Sequence, residues 1–102
     1  MNNLTNLIGN TPLIQLGPKL YAKLETYNPS GSIKDRMANY ILHKAIERGD
    51  LEGKDTMVVA SSGNTGIAFA MLAAAHNLKA FILMPCNMSE ERKQMMRAFG
   101  AE

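Results

Sequence analysis

Residues 56 to 83 read "TMVVASSGNTGIAFAMLAAAHNLKAFIL", and this stretch decides the fold. "TMVVA", Thr56 to Ala60, is a short apolar run containing β-branched residues, the pattern of a buried strand. It gives way to "SSGNTG", Ser61 to Gly66, whose small polar residues suit a loop leading into a helix. From Asn64 to His76 the chain is apolar on every side, rich in alanine and free of proline, which predicts a buried helix with Asn77 at its C-terminal cap. "KAFILMP", Lys79 to Pro85, supplies a second buried strand that proline ends. A strand, a helix and a strand of these lengths imply parallel strands joined by a right-handed crossover. The fold class is therefore α/β, with a parallel sheet in a three-layer arrangement.

The flanking segments extend the pattern in both directions. Upstream, Ile33, Met37, Tyr40, Ile41 and Ala45 recur at spacings of three and four, predicting an amphipathic helix over 32–48 that Gly49 stops. Before it, "PLIQL" and "LYAKLET" read as extended segments joined by a Gly17-Pro18 turn. Downstream, Ser89 suits the N-cap of a third helix, with Glu90 and Glu91 in its first turn, Met95, Met96 and Phe99 on its inner face and Gly100 at its end. The final "AE" reads as the start of a further strand. Residues 1–102 are thus expected to be a single partial domain, the front part of a larger α/β protein. Alone, such a chain is expected to be marginally stable or to associate through its unpaired sheet edge.

Composition narrows the function. The chain of 102 residues is 46% hydrophobic and 20% charged, which fits a soluble globular protein, and its net charge of +2 favours neither nucleic acid nor a membrane surface as partner. The apolar run Ile67 to Ala75 is far too short to span a bilayer, and "MNNLTNLIGN" has no secretory signal pattern. A lone Cys86 excludes an internal disulfide framework and fits a reducing cytoplasm; it is expected to be a buried or semi-buried structural thiol. With only His43 and His76, both on predicted helices, neither a zinc site nor a Cys-His pair is supported. His43 and Lys44 read as a solvated helix face, and the eight methionines as core filler.

Two loops remain as carriers of chemistry. "NPSGSIKDR", Asn28 to Arg36, places Lys34 at the start of a helix, where a cation is mildly unfavourable, by roughly 0.3 to 1 kcal/mol. "SSGNTG" lies at the carboxyl end of a strand, where open α/β sheets bind ligands, and its hydroxyls, amide and free N–H groups suit a carboxylate or phosphate. Neither is a Rossmann fingerprint, a P-loop or a nucleophile elbow. Taken singly, each is an ordinary helix start. Taken together, successive strand-to-helix loops of a parallel sheet fall on one edge, so Lys34 and Asn64 are expected to face one pocket. An amine that is partly desolvated beside helix N-termini is more easily neutral, which suits Schiff-base chemistry.

"IGNTPLIQL", "KLETYNPSGSIKDRMA", "SSGNTGIAFA" and "MPCNMSEERKQMMRAFGAE" occur in the order and approximate spacing of the cysteine synthase family, and the chain resembles that family nearly from end to end. The resemblance implies the tryptophan-synthase-β type of fold, pyridoxal 5'-phosphate as cofactor, and an activated serine and sulfide as substrates. It implies that Lys34 carries the cofactor in an imine linkage and later removes the substrate α-proton. Asn64 would hold the cofactor's ring hydroxyl, and Ser61, Ser62, Gly63 and Thr65 the substrate carboxylate. It further implies a cytoplasmic homodimer in the full-length form, with the cofactor's phosphate loop and pyridine partner beyond Glu102. Three segments differ from the family pattern: Ser61 stands where threonine is usual, "PCNMS" stands where Pro-Glu-Thr-Met-Ser is usual, and the stretch between "PLIQL" and "YAKLE" is shorter than usual. Related enzymes of the fold, such as cystathionine β-synthase and the serine or threonine dehydratases, and a non-catalytic remnant domain are the alternatives.

Overall fold

A computed structural model describes residues 4–102 and contains the crossover unit that the sequence predicts. Strands β3 (Thr56–Ala60) and β4 (Lys79–Leu83) pair in parallel, with Thr56 opposite Lys79 and Ala60 opposite Leu83, and helix α2 (Asn64–Ala75) connects them. β1 (Leu13–Gly17) and β2 (Leu20–Lys23) precede this unit as an antiparallel hairpin, and α1 (Lys34–Glu47) leads into it. α3 (Glu90–Ala98) follows.

The core sits around α2, the most apolar helix. Ala38 and Leu42 of α1 pack with Ala68, Met71 and Leu72, while Ala80, Met57 and Ile82 of the sheet and Met96 of α3 pack with Ile67, Ala70 and Ala73. Alanine at these positions brings the backbones close, and seven of the twelve α2 residues are buried. Asn77 ends the helix in the left-handed region, at φ 57°, as a capping asparagine does.

Strand alternation places Val58, Phe81 and Leu83 on the opposite face of the sheet. The described residues put no helix there, and Val58 and Leu83 remain 65% and 62% exposed. They therefore supply two of the three expected layers. The hairpin is similarly uncovered, with Leu13, Leu16, Leu20 and Tyr21 exposed. It lengthens the molecule, whose radius of gyration is 14.9 Å against about 13 Å for a compact domain of this size.

The outer edge of β4 carries the start of another strand. Glu102 N–H donates to the Ala80 carbonyl at 2.9 Å and Ile82 N–H donates to the Glu102 carbonyl at 2.7 Å, one step of a parallel ladder. The "AE" reading thus holds for Glu102. Two details of α3 differ from expectation. Ser89 occupies the N-cap, but its hydroxyl makes no capping bond; Met95 is 42% exposed, and Met96 alone of the three proposed inner residues is fully buried. No helix among the described residues is long and apolar enough to cross a membrane.

Candidate active site

Lys34 is the first residue of α1, held there by a tightly bonded loop. The Asp35 carboxylate, 0% exposed, accepts from Ser30 N–H at 2.8 Å and from the Ser30 hydroxyl. Buried Asn28 accepts from Gly9 N–H at 2.9 Å through its side chain, and its own carbonyl accepts from Gly31 N–H at 2.8 Å. Gly31 sits at φ +97°, a conformation that glycine adopts without a Cβ penalty. Ser32 Oγ accepts from the Lys34 N–H at 3.1 Å. The loop is fixed, while the Lys34 side chain is exposed and its amine has no partner among the described residues. The desolvation expected around that amine is not supplied by these residues.

A second network braces the same region from below. The Arg36 guanidinium spans both oxygens of Glu25, at 2.5 and 3.2 Å, and the Thr11 hydroxyl donates to the same carboxylate. Hydrogen bonds from Arg36 first and Thr11 second hold the Glu25 carboxyl down at about 2, so it is ionised throughout the neutral range. This clamp ties α1 to the segment after the hairpin, and Lys23 adds a 2.7 Å bond to the Thr11 carbonyl.

The loop 61–66 is shaped by Ser61. Its Oγ accepts from Gly63 N–H at 3.3 Å and from Gly66 N–H at 2.9 Å, capping α2 and leaving its own proton to donate outward. Gly66 is required by packing: a Cβ there lies 2.8 Å from Met96 Cε, 3.2 Å from Ile82 Cγ2 and 3.3 Å from Ser61 Cβ. The side chains of Ser62, Asn64 and Thr65 have no hydrogen-bond partner among the described residues. The same holds for the Asn64 and Thr65 N–H groups, which precede the first intrahelical bonds of α2.

Helix packing brings the two loops to one end of the fold. The rings of His43, late in α1, and His76, just after α2, meet edge to face at 6.1 Å. With Ala38 and Leu42 packed in one cluster with Ala68, Met71 and Leu72, and the C-terminal ends in contact, the two helices lie side by side in the same sense. Stepping back at the α-helical rise places Lys34 roughly 14 Å and Asn64 roughly 18 Å along the helices from that contact, on the same side. That end is the carboxyl edge of β3, where the fold class places ligands. Lys34 and the 61–66 loop thus lie at the N-terminal ends of these two helices, although α1 follows the antiparallel hairpin and not, as the sequence reading assumes, a strand of the parallel sheet.

Three features were missed or misplaced by sequence reasoning. The Asp35–Ser30 brace was overlooked, although a carboxylate in the first helical turn after a serine is a capping signal. Arg92 of α3 donates through Nη1 to the Ser62 carbonyl at 3.1 Å; nothing in the sequence announces this contact across thirty residues. Cys86, expected to be buried or semi-buried, is exposed, because the loop after β4 carries it off the sheet. Among the described residues no group of three or more His, Cys, Asp or Glu is placed to hold a metal ion.

Comparison with known proteins places this edge in a family. Cysteine synthase B of Salmonella typhimurium is 48% identical over 109 aligned residues, which cover all of this chain and 36% of that protein. A hydrogen sulfide-producing enzyme from Fusobacterium nucleatum superposes with TM-score 0.92 at 42% identity, covering the whole chain and 36% of the solved one. An O-acetylserine dependent cystathionine β-synthase from Helicobacter pylori does so with TM-score 0.89 at 37% identity, over 99% of this chain and 36% of that one. The chain spans about a third of the length of these relatives, corresponding to their N-terminal part, and shares their fold-type II architecture. Residues 4–102 match the profile described as pyridoxal-phosphate dependent enzyme, and the chain belongs to that family.

Proposed function

We propose that this chain is the N-terminal portion of a cysteine synthase, a single partial domain over 1–102 within a larger homodimeric, cytoplasmic enzyme. That enzyme replaces the β-substituent of an O-acetylserine-type substrate with sulfide to give L-cysteine. One observation carries the reading: a lysine amine and a set of amide, hydroxyl and N–H groups, all without partners among the described residues, stand at the N-terminal ends of two helices packed side by side. A donor set left open at a sheet's carboxyl edge is fit to receive an anionic ligand.

Those residues also fit the family's cofactor. Lys34 is the one to hold it covalently, and Asn64 the one to hydrogen-bond its ring. Pyridoxal phosphate, when bound, supplies the electron sink that makes the substrate α-proton removable. The chain's own work is then local. Ser61, Ser62, Gly63 and Thr65, with the free N–H groups at the start of α2, bind and orient the substrate carboxylate. Lys34 Nζ, released from the cofactor once the substrate amine takes its place, would take the proton from the α-carbon and return it to that carbon after acetate has left the β-carbon and hydrosulfide has added there. The Asp35–Ser30 brace keeps Lys34 on the substrate side of the loop.

The experiment uses the complete enzyme, made by joining this chain to the rest of its reading frame or to the corresponding remainder of the Salmonella enzyme. Asn64→Ala and Thr65→Ala each remove a bond to a charged group, worth roughly 1.5 to 3 kcal/mol, so amino-acid binding or the first half-reaction should fall about ten- to hundredfold with the fold intact. Unchanged kinetics in both refute the loop assignment. The similarity to an O-acetylserine dependent cystathionine β-synthase favours a second reading, with homocysteine as the sulfur donor. Product analysis with sulfide and homocysteine in competition separates the two, and cofactor binding without turnover of either would identify a non-catalytic remnant.

A further inference from the structure

Arg92 and Met96 lie one turn apart on α3, on the face that meets the loop between β3 and α2. Met96 packs where Gly66 leaves room, and Arg92 reaches the other end of the loop. Arg92 Nη1 donates to the Ser62 carbonyl at 3.1 Å, and its guanidinium lies 3.4 to 3.9 Å from where a Gly63 Cβ would stand. A Cβ at Gly63 would thus stand in ordinary van der Waals contact with the planar group. Arg92 has no acidic partner among the described residues, whereas the neighbouring Lys93 is paired with Glu90 at 3.3 Å. Its charge is therefore left uncompensated beside a loop that offers open donors.

The Ser62 carbonyl matters because it fixes a peptide plane. Rotating that plane moves the Gly63 N–H, which donates to Ser61 Oγ, and so disturbs the cap that sets the first turn of α2. We propose that Arg92 is a positioning residue: by anchoring the Ser62 carbonyl from α3 it holds the 61–66 loop in the conformation that receives the substrate carboxylate. This rests on the carboxylate-loop reading given above. Arg92 touches no reacting atom. It acts through the loop, and its charge adds attraction for the anion without a direct contact.

The test compares Arg92→Ala and Arg92→Lys with wild type in the complete enzyme, alongside Thr65→Ala. Arg92→Ala should raise KM for the amino-acid substrate about five- to tenfold, less than the full value of a charged hydrogen bond because the contact is exposed and acts through the loop, and change kcat by less than about twofold. Arg92→Lys keeps a cation and one donor, and should return KM to within about threefold of wild type. Hydrogen exchange of the Gly63 and Gly66 amides, measured without substrate, should quicken in Arg92→Ala and not in Arg92→Lys. If Thr65→Ala raises KM while Arg92→Ala leaves KM and exchange unchanged, the positioning role is overturned and the loop reading stands. If neither variant alters KM, the loop reading itself fails. A fall in kcat alone, or equal loss in both arginine variants, also overturns the proposal.

Discussion

Replacing Gly66 by alanine sets two effects of opposite sign against each other. In an exposed helix the change stabilises by about 1 kcal/mol, since alanine is the better helix former. Here the added methyl has to enter a space already filled. Its 2.8 Å contact is with the terminal methyl of Met96, which can swing away, but those at 3.2 and 3.3 Å are with Ile82 Cγ2 and Ser61 Cβ. Ile82 is β-branched and seated in β4, and Ser61 is bonded to two glycine amides, so neither yields easily. Overpacking of this kind costs roughly 1 to 3 kcal/mol, which with two unyielding neighbours outweighs the helix gain and leaves a net loss of up to about 2 kcal/mol. Urea unfolding of the complete enzyme should show the midpoint falling in Gly66→Ala and partly recovering in Gly66→Ala/Met96→Ala relative to Met96→Ala alone. A midpoint that rises in the single variant would refute the packing described for this loop.

Lys34→Ala in the complete enzyme should abolish the visible absorbance of the bound cofactor and nearly all turnover; a variant that keeps both would remove Lys34 from its role. Asp35→Asn leaves a buried Ser30 donor facing an amide, and should cost roughly 1 to 3 kcal/mol in thermal unfolding; an unchanged transition would show that the brace is dispensable. Acid should act in two stages. Burial first, and the neighbouring His43 second, lower the His76 pKa, so its contribution is complete above the ordinary histidine value of 6.5 and is lost as pH falls below it. Glu25, lowered from 4.5 to about 2, contributes fully above 4.5 and loses that contribution between those values. Stability measured against pH should lose the first stage in His76→Leu and the second in Glu25→Gln; an unaltered profile in either variant would reject its assignment.

The elements legible in the sequence were those whose signals are local. "TMVVA" and the alanine-rich 64–75 segment declared themselves by composition and length, and the structure bounds them within a residue of expectation. The crossover rule did not by itself place Lys34 beside Asn64, because α1 is entered from the antiparallel hairpin and not from a strand of the parallel sheet. What escaped was the set of contacts joining segments far apart in the chain. Arg92 looks identical to any solvated helix arginine until α3 is docked, and Cys86 looks like a core thiol until the loop after β4 turns outward. Ser89 shows the opposite failure: a good capping residue in the right place, whose hydroxyl is not used.

The cation at the start of α1 has a physical explanation in the residue that follows it. A helix N-terminus disfavours Lys34 by roughly 0.3 to 1 kcal/mol, and an acid in the same turn returns a similar amount. Asp35 is that acid, and it is fully buried with both carboxylate oxygens taken by Ser30. Because Asp35 is committed to the loop, it does not pair with its neighbour, and the exposed Lys34 amine has no partner among the described residues. An alternative arrangement, with the lysine bonded to the aspartate, would satisfy the dipole equally well. It would also consume the amine. The two adjacent residues thus divide the work: one satisfies the helix start and pins the loop, and the other is left with the free amine that the proposed cofactor linkage requires.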